Sequence, residues 1–155
     1  CLTPDHKIVQ YDRRKKLLMN YEFIIEKFGV PPESIPDYLG LMGDTADGFP
    51  GLQGWGAKSS SSVLAVYSHI ESIPDDPEKW EVSVRGANKL ATTLKENRNL
   101  ALLFRDIATL RYEAPTFGSI DELHWEGTGS DFFQIAEKLE ATRLIERAEQ
   151  LAKTR

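Results

Sequence analysis

Apolar residues recur along this chain at the spacing of short helices. The first stripe falls at positions i, i+3, i+4 and i+7 and predicts one helix with a single buried face: Tyr21, Ile24, Ile25 and Phe28. Gly29, followed by Pro31, ends this helix. The same spacing recurs in two later stripes, which predict two helices joined near Asn97: Ala87, Leu90, Ala91 and Leu94, then Leu100, Leu103, Phe104 and Ile107.

The segments around these stripes complete a mostly α fold with a small sheet at its start. Ile8–Tyr11 and Leu17–Met19 are apolar runs separated by polar residues 12–16, which predicts a β-hairpin. Ser34 is a suitable N-cap for a second helix that ends at about Met42. The remaining predicted elements are a helix at 57–67, a loop at 115–129 and two amphipathic helices after it.

Composition narrows the class of protein. With 155 residues, 41% of them hydrophobic, the chain can bury one core, and a single compact domain is the default. No apolar stretch approaches the roughly 20 residues of a membrane helix, so we expect a soluble protein with no membrane partner. The one cysteine fits a reducing, cytoplasmic compartment. Because the chain begins with Cys1, we expect it to be a piece of a longer protein.

The net charge of −5 argues, taken alone, against a nucleic-acid binder, because neutralisation of phosphates supplies most of that affinity. The distribution of charge changes this picture. Residues Arg13–Lys16 and the segment Arg85–Arg111 are locally basic, whereas acid is concentrated at 71–81 and in the last forty residues. The protein can therefore offer one positive face to a phosphate backbone.

Two carboxylates are the first candidate for chemistry. Asp44 and Asp47 lie three residues apart in an irregular stretch rich in glycine. Carboxylates at i and i+3 can point the same way and reach one hard divalent cation, which prefers oxygen ligands. The alternative is that both acids only cap turns, because Asp favours turns and helix starts.

A glycine-rich turn follows the two acids directly. Gly51, Gly54 and Gly56 precede Lys58 and Ser59, in a Gly-x-Gly turn that leads into a helix. Such a turn exposes backbone N–H groups, the helix N-terminus adds partial positive charge, and a phosphate is favoured there. The alternative is an ordinary turn between two helices.

The combination of these motifs resembles the signature of the 5′-3′ exonuclease and flap-endonuclease family. Its usual form is Gly-Asp-(Ser/Thr)-x-Asp-Asn-Ile-Pro-Gly-Val-x-Gly-Ile-Gly-x-Lys-Thr-Ala. Here Gly48 and Phe49 replace Asn-Ile, Trp55 replaces Ile and Ser59 replaces Thr. The resemblance extends over roughly residues 1–115. It implies a helix-hairpin-helix, SAM-like bundle beside a remnant of a Rossmann-like nuclease core.

The same resemblance implies metal ions and their ligands. Asp44 and Asp47 would be catalytic and would hold the second Mg²⁺ or Mn²⁺ of a two-metal site. Carbonyls near Leu52, Gly54 and Gly56 could hold a K⁺ that touches phosphate. Gly51, Gly54, Gly56, Lys58, Ser59 and Arg85 would contact DNA.

The first residues resemble the end of a catalytic strand. Thr3-Pro4-Asp5 stands where the family has Thr-x-Asp-Lys-Asp-Leu, with two metal-binding acids. Asp5 is therefore a candidate metal ligand, although a surface turn explains it equally. The second acid is absent before His6, so we expect residues to be missing between Asp5 and His6, and the other carboxylates to lie upstream of this chain.

A second phosphate-contacting stripe is a further hypothesis. Its members would be Arg85, Lys89, Lys95 and Arg105, with solvated helix faces as the alternative.

These inferences favour the DNA-binding part of a structure-specific 5′-3′ exonuclease, inactive as a fragment. A non-catalytic duplex DNA-binding module and a protein-interaction helical domain are the alternatives. The expected domains are remnant catalytic strands at 1–19, a DNA-binding domain at 20–114 and a helical extension at 115–155. We expect a cytoplasmic, nucleoid-associated monomer whose partners are duplex or flapped DNA and a DNA polymerase.

Overall fold

A computed structural model describes residues 2–153 of the chain. It confirms a mostly α fold with a small N-terminal sheet. The strands and helices of the described residues are β1 (Gln10–Asp12), β2 (Leu17–Met19), α1 (Tyr21–Phe28), α2 (Ile35–Met42), α3 (Ala57–Tyr67), α4 (Ala87–Ala108), α5 (Phe132–Lys138) and α6 (Thr142–Lys153).

The chain divides into two compact units, one up to Tyr112 and one from Glu113. The first contains β1, β2 and α1 to α4; the second contains α5 and α6. The expected functional domains, with borders after residues 19 and 114, stay a prediction. Although α4 is 22 residues long, none of the helices within residues 2–153 has the length and apolar character needed to cross a bilayer.

The N-terminal hairpin is short and regular. Strands β1 and β2 pair antiparallel, with Tyr11 opposite Leu18 and Asp12 opposite Leu17. Pairing therefore extends to Asp12, later than the apolar run at 8–11 predicts. The reason is the turn, in which the Asp12 carboxylate accepts hydrogen bonds from the N–H groups of Arg14 and Lys15.

Helix α1 begins and ends where the pattern predicts. The Asn20 side chain accepts a hydrogen bond from the Phe23 N–H at 3.0 Å, and Gly29 closes the helix in the left-handed conformation. Ser34 occupies the predicted N-cap position of α2, but its side chain does not cap the helix. Ser34 precedes α2, but its hydroxyl makes no capping bond and is fully buried, because residues Pro32–Ser34 form a 3₁₀ turn there.

The prediction of two helices joined near Asn97 is confirmed, because α4 consists of two helical stretches that meet in a kink at this residue. Asn97 has φ −124° and ψ 23°, and its side-chain amide donates to the Thr93 carbonyl at 3.0 Å. A side chain that binds the backbone one turn earlier is a known cause of such bends. The apolar stripe changes phase at this residue, which is why the sequence suggests a break.

The core of the first unit lies between α2, α3 and α4. Its fully buried side chains include Leu41, Leu64 and Leu94. Gly40 lets α2 approach the second half of α4 very closely, because a Cβ there would lie 2.9 Å from the Ala101 carbonyl oxygen.

Arg105, a member of the hypothetical phosphate-contacting stripe, is engaged within the fold. Its guanidinium donates to Glu71 and to Asp37, which is almost fully buried in α2. Asp37 also accepts from the Ile70 N–H at 3.0 Å and contacts His69 at 3.0 Å. A buried carboxylate needs such compensation, so Arg105 is a structural residue.

The pKa of Glu71 lies below its ordinary value in the folded protein. Partial burial raises the pKa, but the hydrogen bond and positive charge of Arg105 lower it by more. Because the folded pKa is depressed, Glu71 stabilises the fold above the unfolded value of 4.5, and this contribution is lost as the pH falls through the folded pKa.

We therefore expect Glu71→Gln to lose less stability than the parent as the pH falls below about 5. The difference should stay below about 1 kcal/mol, because the Glu71 side chain is half exposed. Urea unfolding at a series of pH values measures it. Glu78→Gln, at an exposed acid, is the control. A Glu71→Gln variant with the parent's pH dependence would contradict the prediction.

Candidate functional site

The two predicted acids lie on a closed loop between α2 and the glycine turn. Its ends are joined by two backbone hydrogen bonds between Asp44 and Phe49, with N···O distances of 2.9 and 3.1 Å. Inside the loop, Oδ1 of Asp44 accepts from the N–H of Ala46 at 2.9 Å and of Asp47 at 3.3 Å. Asp44 therefore holds the turn together, while the Asp47 side chain is exposed.

Two glycines close the base of this acid loop, which we define as residues 44–49. Gly43 and Gly51 both have positive φ, +89° and +70°, and their backbones touch. A Cβ on Gly51 would lie 2.3 Å from the Gly43 nitrogen, which is closer than any real contact. Leu52 N–H then donates to the Leu41 carbonyl at 2.8 Å. The structure therefore buries Gly51 in the loop base and does not bring it to the surface with the other glycines.

Two residues that depart from the family pattern are part of the core. Phe49 is buried and stacks on Phe104, with ring centroids 5.7 Å apart. Trp55 is buried, and its ring centroid lies 6.2 Å from that of Trp80. Its indole N–H donates a hydrogen bond to the Leu90 carbonyl at 3.2 Å. The larger side chains thus attach the acid loop and the glycine turn to α4.

The remaining predicted DNA contacts come together on one concave surface of about 600 Å³, which we term the phosphate pocket. Gly54, Gly56, Lys58 and Ser59 line it from the turn and the start of α3, and Arg85 lines it from the segment before α4. Among the described residues, no Asp or Glu lines this surface. Its two charged groups, Lys58 and Arg85, are both positive and both exposed.

Ser59 and Gly56 have a local structural role within this pocket. The Gly56 N–H donates to Oγ of Ser59 at 3.0 Å, and that hydroxyl lies 3.0 Å from the Gly56 carbonyl. The first amides of α3 beyond this cap are those of Ala57 and Lys58, at exposed residues. The electropositive feature of the pocket is thus the N-terminus of α3 together with two cationic side chains.

A family model for the 5′-3′ exonuclease C-terminal SAM fold matches residues 30–131. This match covers the acid loop, the glycine turn, α3 and α4. The chain belongs to the 5′-3′ exonuclease family.

Named proteins of the 5′-3′ exonuclease family resemble the chain over much of its length. DNA polymerase I of Bacillus caldotenax is 35% identical over 106 residues, which is 68% of this chain and 12% of that protein. Flap endonuclease Xni of Photorhabdus laumondii is 32% identical over 126 residues, 79% of this chain and 45% of that protein. A 5′-3′ exonuclease of Buchnera aphidicola is 31% identical over 106 residues, 68% and 37% respectively. The chain thus spans less than half the length of these relatives.

A metal site of the 5′-3′ exonuclease type fits this chain only in part. Asp44 and Asp47 offer two carboxylates on one tight loop, with Asp44 using Oδ1 for the turn. The Asp5 carboxylate already has local partners, because Lys7 forms an ion pair with it at 2.9 Å. The hydrogen bonds from Lys7 and Thr3 lower the pKa of Asp5. Within residues 2–153, no three His, Cys, Asp or Glu side chains come together to hold an ion. Asp5 as a ligand stays a prediction.

Sequence reasoning missed four residues that line the phosphate pocket: Ala57, Ser62, Ser83 and Val84. Ser62 follows Lys58 by one helical turn, so i and i+4 spacing on α3 was a usable signal. Ser83 and Val84 had no comparable signal, because only the tertiary packing brings the segment before α4 against the start of α3. Lys89 and Lys95 are exposed on α4 outside the pocket lining.

Proposed function

We propose that this chain is the DNA-binding part of a structure-specific 5′-3′ exonuclease, which hydrolyses phosphodiester bonds with divalent metal ions. The observation that carries the proposal is the phosphate pocket, in which Lys58 and Arg85 meet the N-terminus of α3 and no acid of the described residues lines the surface. A chain of net charge −5 gathers two cations and exposed helix amides on one concave surface. This arrangement is suited to a polyanion.

The proposed contact is to the backbone of duplex or flapped DNA. The α3 N-terminus presents backbone amides and partial positive charge, and Lys58 in the first turn adds a full charge. Arg85 adds a planar group that can donate two hydrogen bonds to one phosphate. Such contacts position a strand without reading its sequence, as expected of an enzyme that recognises structure. A K⁺ ion near the carbonyls of Leu52, Gly54 and Gly56 would add to this contact.

For catalysis we propose that Asp44 and Asp47 hold one Mg²⁺ or Mn²⁺ in the whole protein. Divalent ions would supply an activated hydroxide and stabilise the attacking and leaving oxygens of an in-line displacement. The loop's own part is to fix the two carboxylates, through the hydrogen bonds of Asp44 and the burial of Phe49. The other carboxylates, Asp5 among the candidates, would complete the set from sequence before α1 and beyond this chain.

The whole protein then has a catalytic core of which β1 and β2 are a remnant. Because one relative is a DNA polymerase I, a DNA polymerase is the proposed partner, either in the same chain or alongside it. We propose that the protein acts in DNA replication and repair, as a monomer in the cytoplasm.

A non-catalytic duplex-binding module is the second candidate. The observation that favours it is that no cluster of three metal-ligating side chains occurs within residues 2–153. The two candidates share the phosphate pocket and differ in whether the acid loop needs a metal.

The double variant Lys58→Ala with Arg85→Ala tests the phosphate pocket. We expect it to weaken duplex DNA binding by tenfold or more at low salt, and to make the slope of log affinity against log salt less negative by about 2, because about one counterion is released per phosphate contact. Fluorescence anisotropy with a labelled duplex at several salt concentrations measures both quantities.

The matched control is Lys79→Ala with Arg143→Ala, which removes two exposed cations outside the pocket. The control should retain the parent's affinity within about twofold. An equal loss in both double variants would mean that net charge alone governs binding, and the proposed pocket contact would be abandoned.

A further inference from the structure

The turn between β1 and β2 carries a dense run of positive charge that the phosphate pocket does not include. Arg13, Arg14, Lys15 and Lys16 are consecutive, and all four are exposed. We term these four residues the basic tip. No other four consecutive residues of this sequence are all basic.

The basic tip is held in place by local structure. Oδ1 of Asp12 accepts hydrogen bonds from the N–H groups of Arg14 at 2.9 Å and Lys15 at 3.0 Å. Lys16 has a φ of +52°, the left-handed conformation that turns the chain back into β2. With Asp12 paired to Leu17, the four basic residues form the whole connection between the strands. Their charges therefore emerge together from one turn.

The charge of the basic tip is not neutralised by ion pairs. Within residues 2–153, the ion pairs of arginine and lysine involve Lys7, Arg98, Arg105 and Arg111, and none involves the tip. Asp12 lowers the local charge, but its carboxylate is committed to the turn amides. Four like charges on successive residues repel one another, and a bound polyanion would relieve that repulsion.

We propose that the basic tip is a second nucleic-acid contact, binding the phosphate backbone of the same DNA at a point separate from the phosphate pocket. This inference rests on the proposed function for the partner and on the hairpin geometry for the site. Duplex DNA carries one charge per about 1.7 Å of its axis, so two separate basic patches of one protein can each displace counterions. The two contacts would fix the direction of the duplex on the protein as well as hold it.

The test is the triple variant Arg13→Gln, Arg14→Gln and Lys15→Gln in the full chain. Lys16 stays unchanged because of its backbone conformation, and the turn amides are retained. We expect duplex affinity at low salt to fall at least tenfold, and the salt slope to become less negative by about 2 to 3. The matched control is Lys138→Gln, Arg143→Gln and Lys153→Gln, which makes the same change in net charge at exposed residues of α5 and α6.

The outcomes separate this inference from the proposed function. A loss in the tip variant but not in the control supports the basic tip. Parent affinity in the tip variant, with a loss in the Lys58 and Arg85 variant, overturns the basic tip and keeps the pocket. A loss in the tip variant, with parent affinity in the Lys58 and Arg85 variant, keeps the basic tip and overturns the pocket. If the parent protein binds no DNA, both proposals are overturned. If the tip variant bound DNA like the parent but no longer bound phosphatidylserine vesicles, the tip would be assigned to a membrane surface and the inference would be overturned.

Discussion

Replacing Gly51 with alanine is expected to lower the free energy of unfolding by more than about 3 kcal/mol. Gly51 has a φ of +70°, and a Cβ there would lie 2.3 Å from the nitrogen of Gly43 and 2.4 Å from the carbonyl carbon of Met42. Both atoms are backbone, so no rotation of a side chain relieves the overlap. The end of α2 would have to separate from the glycine turn, with loss of the hydrogen bond from Leu52 to Leu41.

Gly48→Ala is the matched control. Gly48 also has a positive φ, +84°, but nothing lies within 4 Å of the position of its Cβ. Gly48→Ala should lower the free energy of unfolding by only about 1 to 2 kcal/mol, the cost of placing an alanine in the left-handed conformation. Urea unfolding of both variants measures the difference. If Gly48→Ala and Gly51→Ala lost the same stability, the close packing of Gly43 on Gly51 would not contribute to the stability of the fold.

Elements with local signals could be predicted from the sequence. Helix α1 has its apolar stripe, its Asn20 cap and its Gly29 end within ten residues, and α3 begins after Gly56 as predicted. The hairpin needed only two apolar runs and a polar turn. In each case the interactions that select the structure lie close together in sequence, so composition and spacing contain the answer.

Predictions went astray where burial or a contact outside the local pattern decides the role of a residue. Arg105 resembles other basic residues of α4, but its partner Asp37 is 68 residues away. Ser34 is a residue type that often caps helices, yet a 3₁₀ turn places its hydroxyl in the interior. Gly51 as a DNA contact stays a prediction, while its burial, its positive φ and its packing on Gly43 give a structural reason for glycine at this position. Pattern alone cannot supply such tertiary contacts.

The candidate site depends partly on local signals and partly on tertiary contacts. The acids and glycines form one continuous motif, so their proximity could be predicted. The meeting of Arg85 with Lys58 could not be derived from spacing, because it depends on how α4 packs against the glycine turn through Trp55 and Leu90. The acid loop has the same dependence, since Phe49 stacks on Phe104 of α4. Helix α4 thus supports both the acid loop and the phosphate pocket.

Neutralising both acids of the loop is expected to abolish metal-dependent cleavage in the intact protein while leaving duplex affinity largely unchanged. The sharpest variant is Asp44→Asn with Asp47→Asn. An asparagine oxygen at 44 can still accept the hydrogen bonds from Ala46 and Asp47, so the loop is retained while two negative charges are lost. Asp44→Ala with Asp47→Ala should give the same loss of activity, with a looser loop.

We expect the cleavage rate of the asparagine variant to fall at least about a thousandfold, because a metal ion supplies several kcal/mol of transition-state stabilisation and each 1.36 kcal/mol is a factor of ten. Cleavage of a flapped duplex over a range of Mg²⁺ and Mn²⁺ concentrations measures this, with anisotropy for DNA binding and calorimetry for Mn²⁺ binding. Asp76→Asn with Glu78→Gln is the control, since Asp76 likewise accepts an amide hydrogen bond in an exposed turn. A loss below tenfold with Mn²⁺ binding intact would mean that Asp44 and Asp47 only shape the loop, and the chain would then be better described as a duplex-binding module.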